Sequence, residues 1–130
     1  MNNGANKVNV TAQGGLGNKN GALVNAVAYG IQNTGTLTLV GPTTIQVQAT
    51  GGALAGTAPA SSTAFDASAE AYGLWNAQDE ITAGALTMNL VKAKGGTAKN
   101  AYAIAMGISN ENAPDTITAT SIVMQEVRAE

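Results

Sequence analysis

The 130-residue chain contains neither cysteine nor histidine. Those two absences remove disulfides, thiol nucleophiles, imidazole acid–base chemistry and the usual zinc ligands together. Charge is scarce: Asp, Glu, Lys and Arg make up 11% of the residues, where about a quarter is usual for a globular domain. Six basic residues against eight acidic ones leave a net charge of −2 and an isoelectric point near 4.9. Such a chain lacks the basic face that nucleic-acid phosphates require, so no nucleic acid is expected as a partner. Lys92, Lys94 and Lys99 are the one local basic cluster, and they are read as a solvated strand edge. No apolar run reaches membrane-spanning length, so no membrane insertion is expected. The opening Met1–Lys7 is polar and does not have the pattern of a secretory signal peptide. Low hydrophobicity with high charge would mean disorder, but 45% of the residues are hydrophobic. A folded chain with small side chains and a neutral surface is the expectation.

What the sequence does have is repetition, which is read before anything else. An alternating strand ending in Val-x-Ala recurs four times, usually running into Gly-Gly: Val8–Gly15, Ile45–Gly52, Met88–Gly96 and Val127–Glu130. Its alanines, Ala12, Ala49, Ala93 and Ala129, are spaced by 37, 44 and 36 residues. A second phrase travels with it, as Ala28-Tyr29-Gly30-Ile31-Gln32-Asn33, Ala71-Tyr72-Gly73-Leu74-Trp75-Asn76 and Ala101-Tyr102-Ala103-Ile104. Residues 1–7 read as a frayed terminus and 8–130 as the repeat array. The segment 53–70, rich in Ala, Ser, Thr and Gly without a sustained period, reads as a loop inserted at a corner, with a helical turn conceivable at Phe65–Tyr72. In the third copy Leu86, Met88 and Leu90 share one face, but Val91 follows directly; one surplus residue marks a β-bulge.

Unequal insertions confined to corners, without the two-residue turns of hairpins, predict parallel stacking of successive copies. The expected fold is all-β, a short right-handed parallel β-helix of about three to four rungs; a pilin-like antiparallel β-sandwich of similar composition is the alternative. Stacked rungs place like above like, with Ile, Val and Leu inside, Asn and Thr outside, and Tyr29, Tyr72 and Tyr102 as an aromatic ladder. Val47, Leu39 and Ile31 are expected to point inward together, with Leu90, Leu74 and Val10 as neighbours.

The pattern of Ala28–Asn33, then Gly35-x-Leu37-Thr38-Leu39, then Ile45-x-Val47-x-Ala49-x-Gly51-Gly52 resembles the degenerate repeats of passenger domains in bacterial autotransporters and related surface adhesins. The resemblance spans residues 8–50 and 71–129. It implies a right-handed parallel β-helix at the cell surface or outside the cell. It carries no active-site motif, and the secretory signal and membrane-anchoring barrel of that family are not expected within these residues.

Candidate chemistry is sparse. Gly14-Gly15-Leu16-Gly17-Asn18-Lys19 approaches a calcium-binding nonapeptide, but lysine stands where aspartate belongs, so it reads as a glycine turn. Asp79 and Glu80 are adjacent and would point to opposite faces of a strand, which argues against a glycan-cleaving carboxylate pair. No catalytic residue, metal site or cofactor is expected. Trp75 and Tyr72 are the candidate residues for a glycan or host-surface ligand. The edges carrying Val8, Val10 and Ala12 at one end, and Val127 and Ala129 at the other, are the candidates for head-to-tail self-association, since no charged or proline-bearing cap covers either strand. The functional expectation is a non-catalytic structural or adhesive module of the bacterial surface. A ligand-binding adhesin is the alternative, and a glycan-cleaving β-helix is less favoured.

Overall fold

A computed structural model describes residues 5–17, 24–54, 67–97, 101–112 and 114–130. Among these residues there is no helix, and every strand pair is parallel. That excludes the antiparallel sandwich, in which neighbouring strands would run in opposite directions.

The chain visits three sheets in a fixed order. It starts on the first sheet with β1 (Asn6–Gln13), crosses to the third with β2 (Leu16–Gly17) and to the second with β3 (Ala26–Thr34). It returns to the first as β4 (Leu37–Leu39) and β5 (Thr43–Thr50), then to the third as β6 (Ala53–Leu54) and the second as β7 (Ala69–Gln78). β8 (Glu80–Lys94) lies again on the first sheet, a bridge from Thr97 to Ala53 marks the third, and β9 (Ala103–Asn110) joins the second. The first sheet closes with β10 (Thr116–Met124) and β11 (Val127–Ala129), both paired to β8. The first sheet thus runs β1, β5, β8, β10, and the second β3, β7, β9.

The Val-x-Ala phrase sets the register of the first sheet. Val10 lies beside Val47, Val47 beside Val91, and Val91 beside Val127; Ala12, Ala49, Ala93 and Ala129 line up in the same way. Alternation along β5 buries Thr43, Ile45, Val47 and Ala49 and turns the intervening glutamines outward. The surplus residue is real: the register steps from Ile45 opposite Met88 to Gln46 opposite Leu90, leaving Asn89 unpaired. The bulge reverses the alternation, so Val91 is fully buried and Leu90 faces outward beside Gln46. The expectation that Leu90 neighbours Val47 in the interior is therefore corrected. Val47 and Leu74 are fully buried as expected, while Val10, Ile31 and Leu39 are half-buried against the same core.

The second phrase is also corrected in its third copy. Ala105-Met106-Gly107-Ile108-Ser109-Asn110 pairs with Ala71–Asn76, whereas Ala101 and Tyr102 precede the strand. Alternate alanines at 101, 103 and 105 make several registers look alike; Gly107 is the residue that selects one. Gly30, Gly73 and Gly107 face the valines of the first phrase. A β-carbon on Gly30 would lie 2.8 Å from Val47 Cγ2, and one on Gly107 would lie 3.2 Å from Val127 Cγ2. The two repeating phrases are thus the two walls of one narrow interior, glycine on one side and valine on the other.

Asparagine is expected outside, and Asn9, Asn25 and Asn89 are exposed, but two asparagines of the second phrase turn inward. Asn33 and Asn76 are buried, and Asn33 Nδ2 donates to Asn76 Oδ1 at 2.8 Å. Asn76 Nδ2 donates in turn to Asn110 Oδ1 at 2.8 Å. The same amides donate to the corner carbonyls of Gln78, Asp79 and Asp115. A buried amide is tolerable when its donors and acceptor are matched, and a stack of identical amides matches itself.

The insertion is narrower than 53–70, because Ala53–Leu54 forms β6 and Ala69 opens β7. Ala69–Tyr72 alternates buried and half-buried as a strand, so the helical turn does not extend there. Residues 55–66, including Phe65 and Asp66, lie outside the described residues, as do residues 1–4 of the terminus read as frayed.

Candidate functional site: an aromatic stack, an acidic corner and two sheet edges

Tyr29 and Tyr72 occupy equivalent positions on β3 and β7, and their rings stack with centroids 5.1 Å apart and planes 14° off parallel. The third member is Trp75, at 4.8 Å from Tyr29 and 6.0 Å from Tyr72. Gly73 and Leu74, consecutive and both buried, lie between them in sequence, so Tyr72 and Trp75 share the outward face of β7. Tyr102, expected as the third rung of the aromatic ladder, is not in the stack; Met106 holds the register position beside Tyr72. Tyr102 is tied in at one side, since Glu70 accepts the Tyr72 hydroxyl at 2.9 Å and the Tyr102 hydroxyl at 3.2 Å.

Burial, the hydrogen bond to Glu70 and the negative charges of Glu70 and Glu111 push the Tyr72 hydroxyl up to about 12. Burial, followed by the same two carboxylates, raises Tyr29 as well. Tyr29 and Tyr72 therefore stay neutral across the physiological range, with the Tyr72 hydroxyl donating to Glu70. The flat faces of the cluster are turned toward one another, with Tyr29 lying against both Tyr72 and Trp75. Trp75 Nε1 is shielded from solvent and has no hydrogen-bond partner among the described residues.

The carboxylates fall at a different place. Asp79, in the left-handed region at φ 63°, turns the chain from β7 into β8. Asp79 and Glu80 line an open groove of about 320 Å³ together with Thr36, Pro114, Asp115 and Thr116. Asp115 was not singled out from sequence; the corner before β10 brings it there from 35 residues away. Among the described residues no three acids converge closely enough to hold a metal ion. In the basic cluster, Lys92 pairs with Glu130 at 3.0 Å, and Lys99 lies outside the described residues. Gly14–Gly17 of the calcium-like stretch leads into β2, and Asn18–Asn20 also lie outside.

The two edges of the first sheet differ. On β1, Val8, Val10 and Ala12 are half-buried and packed against the core. On β10 and β11, Val127 and Ala129 are exposed, as are Ile122 and Met124. Arg128, also exposed, pairs with Glu126 at 3.6 Å and with Glu130. Among the described residues no helix is long and apolar enough to cross a membrane. In comparisons with known proteins, the chain matches no family model, no curated protein sequence and no solved structure.

Proposed function

We propose that this chain is a non-catalytic structural module of a parallel β-solenoid, each pass through the three sheets forming one rung. The rungs are continued beyond it, either by a second copy or by further rungs of a longer protein. The observation that carries this reading is the unbroken run of like residues across four strands, Val10, Val47, Val91 and Val127. A repeat kept in register to both edges, with the last strand exposing the residues the preceding one buries, is built to be extended. In this reading the module belongs to a bacterial surface or lies outside the cell, with a structural or adhesive role, as the resemblance of its sequence to passenger repeats implies.

Two measurements test the reading. Oxidation of a Gln48→Cys/Lys92→Cys variant should close a disulfide within one chain, because these residues are register partners on adjacent strands. Failure to close would refute the stacking. On the structural reading, a glycan array comparing the native chain with Trp75→Ala should show background signal for both. Retention of a glycan that Trp75→Ala abolishes would instead establish the adhesin reading.

A further inference from the structure

Ile122, Met124 and Val127 are 43%, 53% and 41% exposed. Their register partners on β8 are Leu86, Met88 and Val91, each 0% exposed. These three side chains therefore occupy the positions that are interior one strand earlier, on the edge strands of the described sheet. Gly107 and Met124 show the same edge from within, since a β-carbon on Gly107 would collide with the Met124 sulfur.

We propose that this edge accepts β1 of a second copy of the chain, docked parallel. The inference rests on the stacked-rung reading above and adds to it a partner, a polarity and a register. Continuing each column by one member places Val8 beside Met124, Val10 beside Val127 and Ala12 beside Ala129. Each newcomer meets an apolar residue of the kind it already meets on β5. The outward columns raise no like-charge contact: Thr11 falls beside Arg128, Gln13 beside Glu130 and Lys7 beside Val123. The contact is heterologous, because the donating and accepting edges differ, so it propagates as a chain of copies instead of closing as a dimer.

The order of the sheets limits the strength of this junction. Counted around the winding, β3 of the docked copy falls two strand spacings from β9, so the first sheet alone makes the contact. A junction of one sheet edge exchanges readily, and covalent trapping is the appropriate readout.

The native chain has no cysteine, so a Thr11→Cys/Arg128→Cys variant carries only the two designed thiols. Both positions face outward and are exposed, which leaves the core untouched. Paired strands about 4.8 Å apart suit disulfide geometry. Thiols held together react at an effective concentration in the millimolar range, so oxidation at micromolar protein should give about tenfold more covalent multimer than either single variant. Bands should appear at multiples of the 12.9 kDa chain. Adding Met124→Lys, a change at an exposed residue, should return the yield to the single-variant level. The proposal is overturned if the double variant gives no more multimer than the singles, or if Arg128→Cys alone gives as much. It is equally overturned if Met124→Lys leaves the multimers in place. The intrachain Gln48→Cys/Lys92→Cys control separates the two levels: closure there without multimers leaves the stacked rungs standing and removes the docking, and failure there removes both.

Discussion

Gly73 of β7 lies across the interior from Val91 of β8, so close that a β-carbon on Gly73 would stand 3.0 Å from Val91 Cγ2 and 2.6 Å from the carbonyl oxygen of Gly107. The valine methyl can give a little; the backbone carbonyl of the neighbouring strand cannot. Gly73→Ala should therefore destabilise the chain by about 2 kcal/mol or more, through overpacking in a core with no slack. Gly35→Ala is the control, because nothing lies within 4 Å of the added carbon. Its effect should be within about 0.5 kcal/mol. Thermal or urea unfolding of the two variants side by side decides the point, and equal stabilities would show that the interior is not so narrow.

The bulge at Asn89 makes an asymmetric prediction for two adjacent apolar residues. Val91→Asp buries an unpaired carboxylate beside Val47 and should cost about 3–5 kcal/mol. Leu90→Asp places the same charge on the outward face beside Gln46 and should cost about 1 kcal/mol or less. Val47→Asp should behave like Val91→Asp. Unfolding midpoints in which Leu90→Asp proves the more damaging would place the bulge elsewhere.

Asn76 occupies the middle of the amide stack, accepting from Asn33 and donating to Asn110 and to the Asp79 carbonyl. Asn76→Ala would remove a fully buried amide and leave the buried Asn33 side chain without one of its acceptors, and should cost about 1–3 kcal/mol. Gln32→Ala, on the exposed face of β3 beside Trp75, should be close to neutral. Chemical denaturation of both variants provides the comparison.

Tyr72 supplies a pH dependence. Its folded-state value, about 12, lies above the ordinary phenol value of 10.0. Between those two values the unfolded chain has released a proton that the folded chain keeps, so stability is complete below about pH 10 and falls as pH rises through the folded-state value. Ultraviolet titration should show a tyrosine ionising near pH 12, and Tyr72→Phe should abolish that late step. A native chain in which no tyrosine titrates late would contradict the burial of Tyr72 and its contact with Glu70.

The sequence made part of this legible. The Val-x-Ala phrase is tied to Gly-Gly, whose lack of side chains marks the place where the chain leaves the sheet. Gly51 donates its N–H to the Lys94 carbonyl, and Gly95 donates to the Glu130 carbonyl, both at 2.8 Å. That fixed point makes the register of Val10, Val47, Val91 and Val127 readable directly. The surplus residue near Leu90 was readable too, but which side chain it expelled was not, since Leu90 and Val91 are both apolar. Tyr102 misled because it follows an alanine, as Tyr29 and Tyr72 do, while the true equivalent had become Met106. Asn33 and Asn76 look like surface residues singly; their burial depends on neighbours 43 and 34 residues away. The groove holding Asp79, Glu80 and Asp115 is assembled by two corners, and no spacing in the sequence encodes that meeting.

The facing columns of glycine and valine have a further consequence. They act as a gauge, holding the two sheets at a separation set by backbone and methyl groups. What the interior fixes is an external scale. Thr11, Gln48, Lys92 and Arg128 stand in one line on the outer face, one strand spacing of about 4.8 Å apart. Substitution along that line alters the surface one graduation at a time and leaves the ruler itself unchanged.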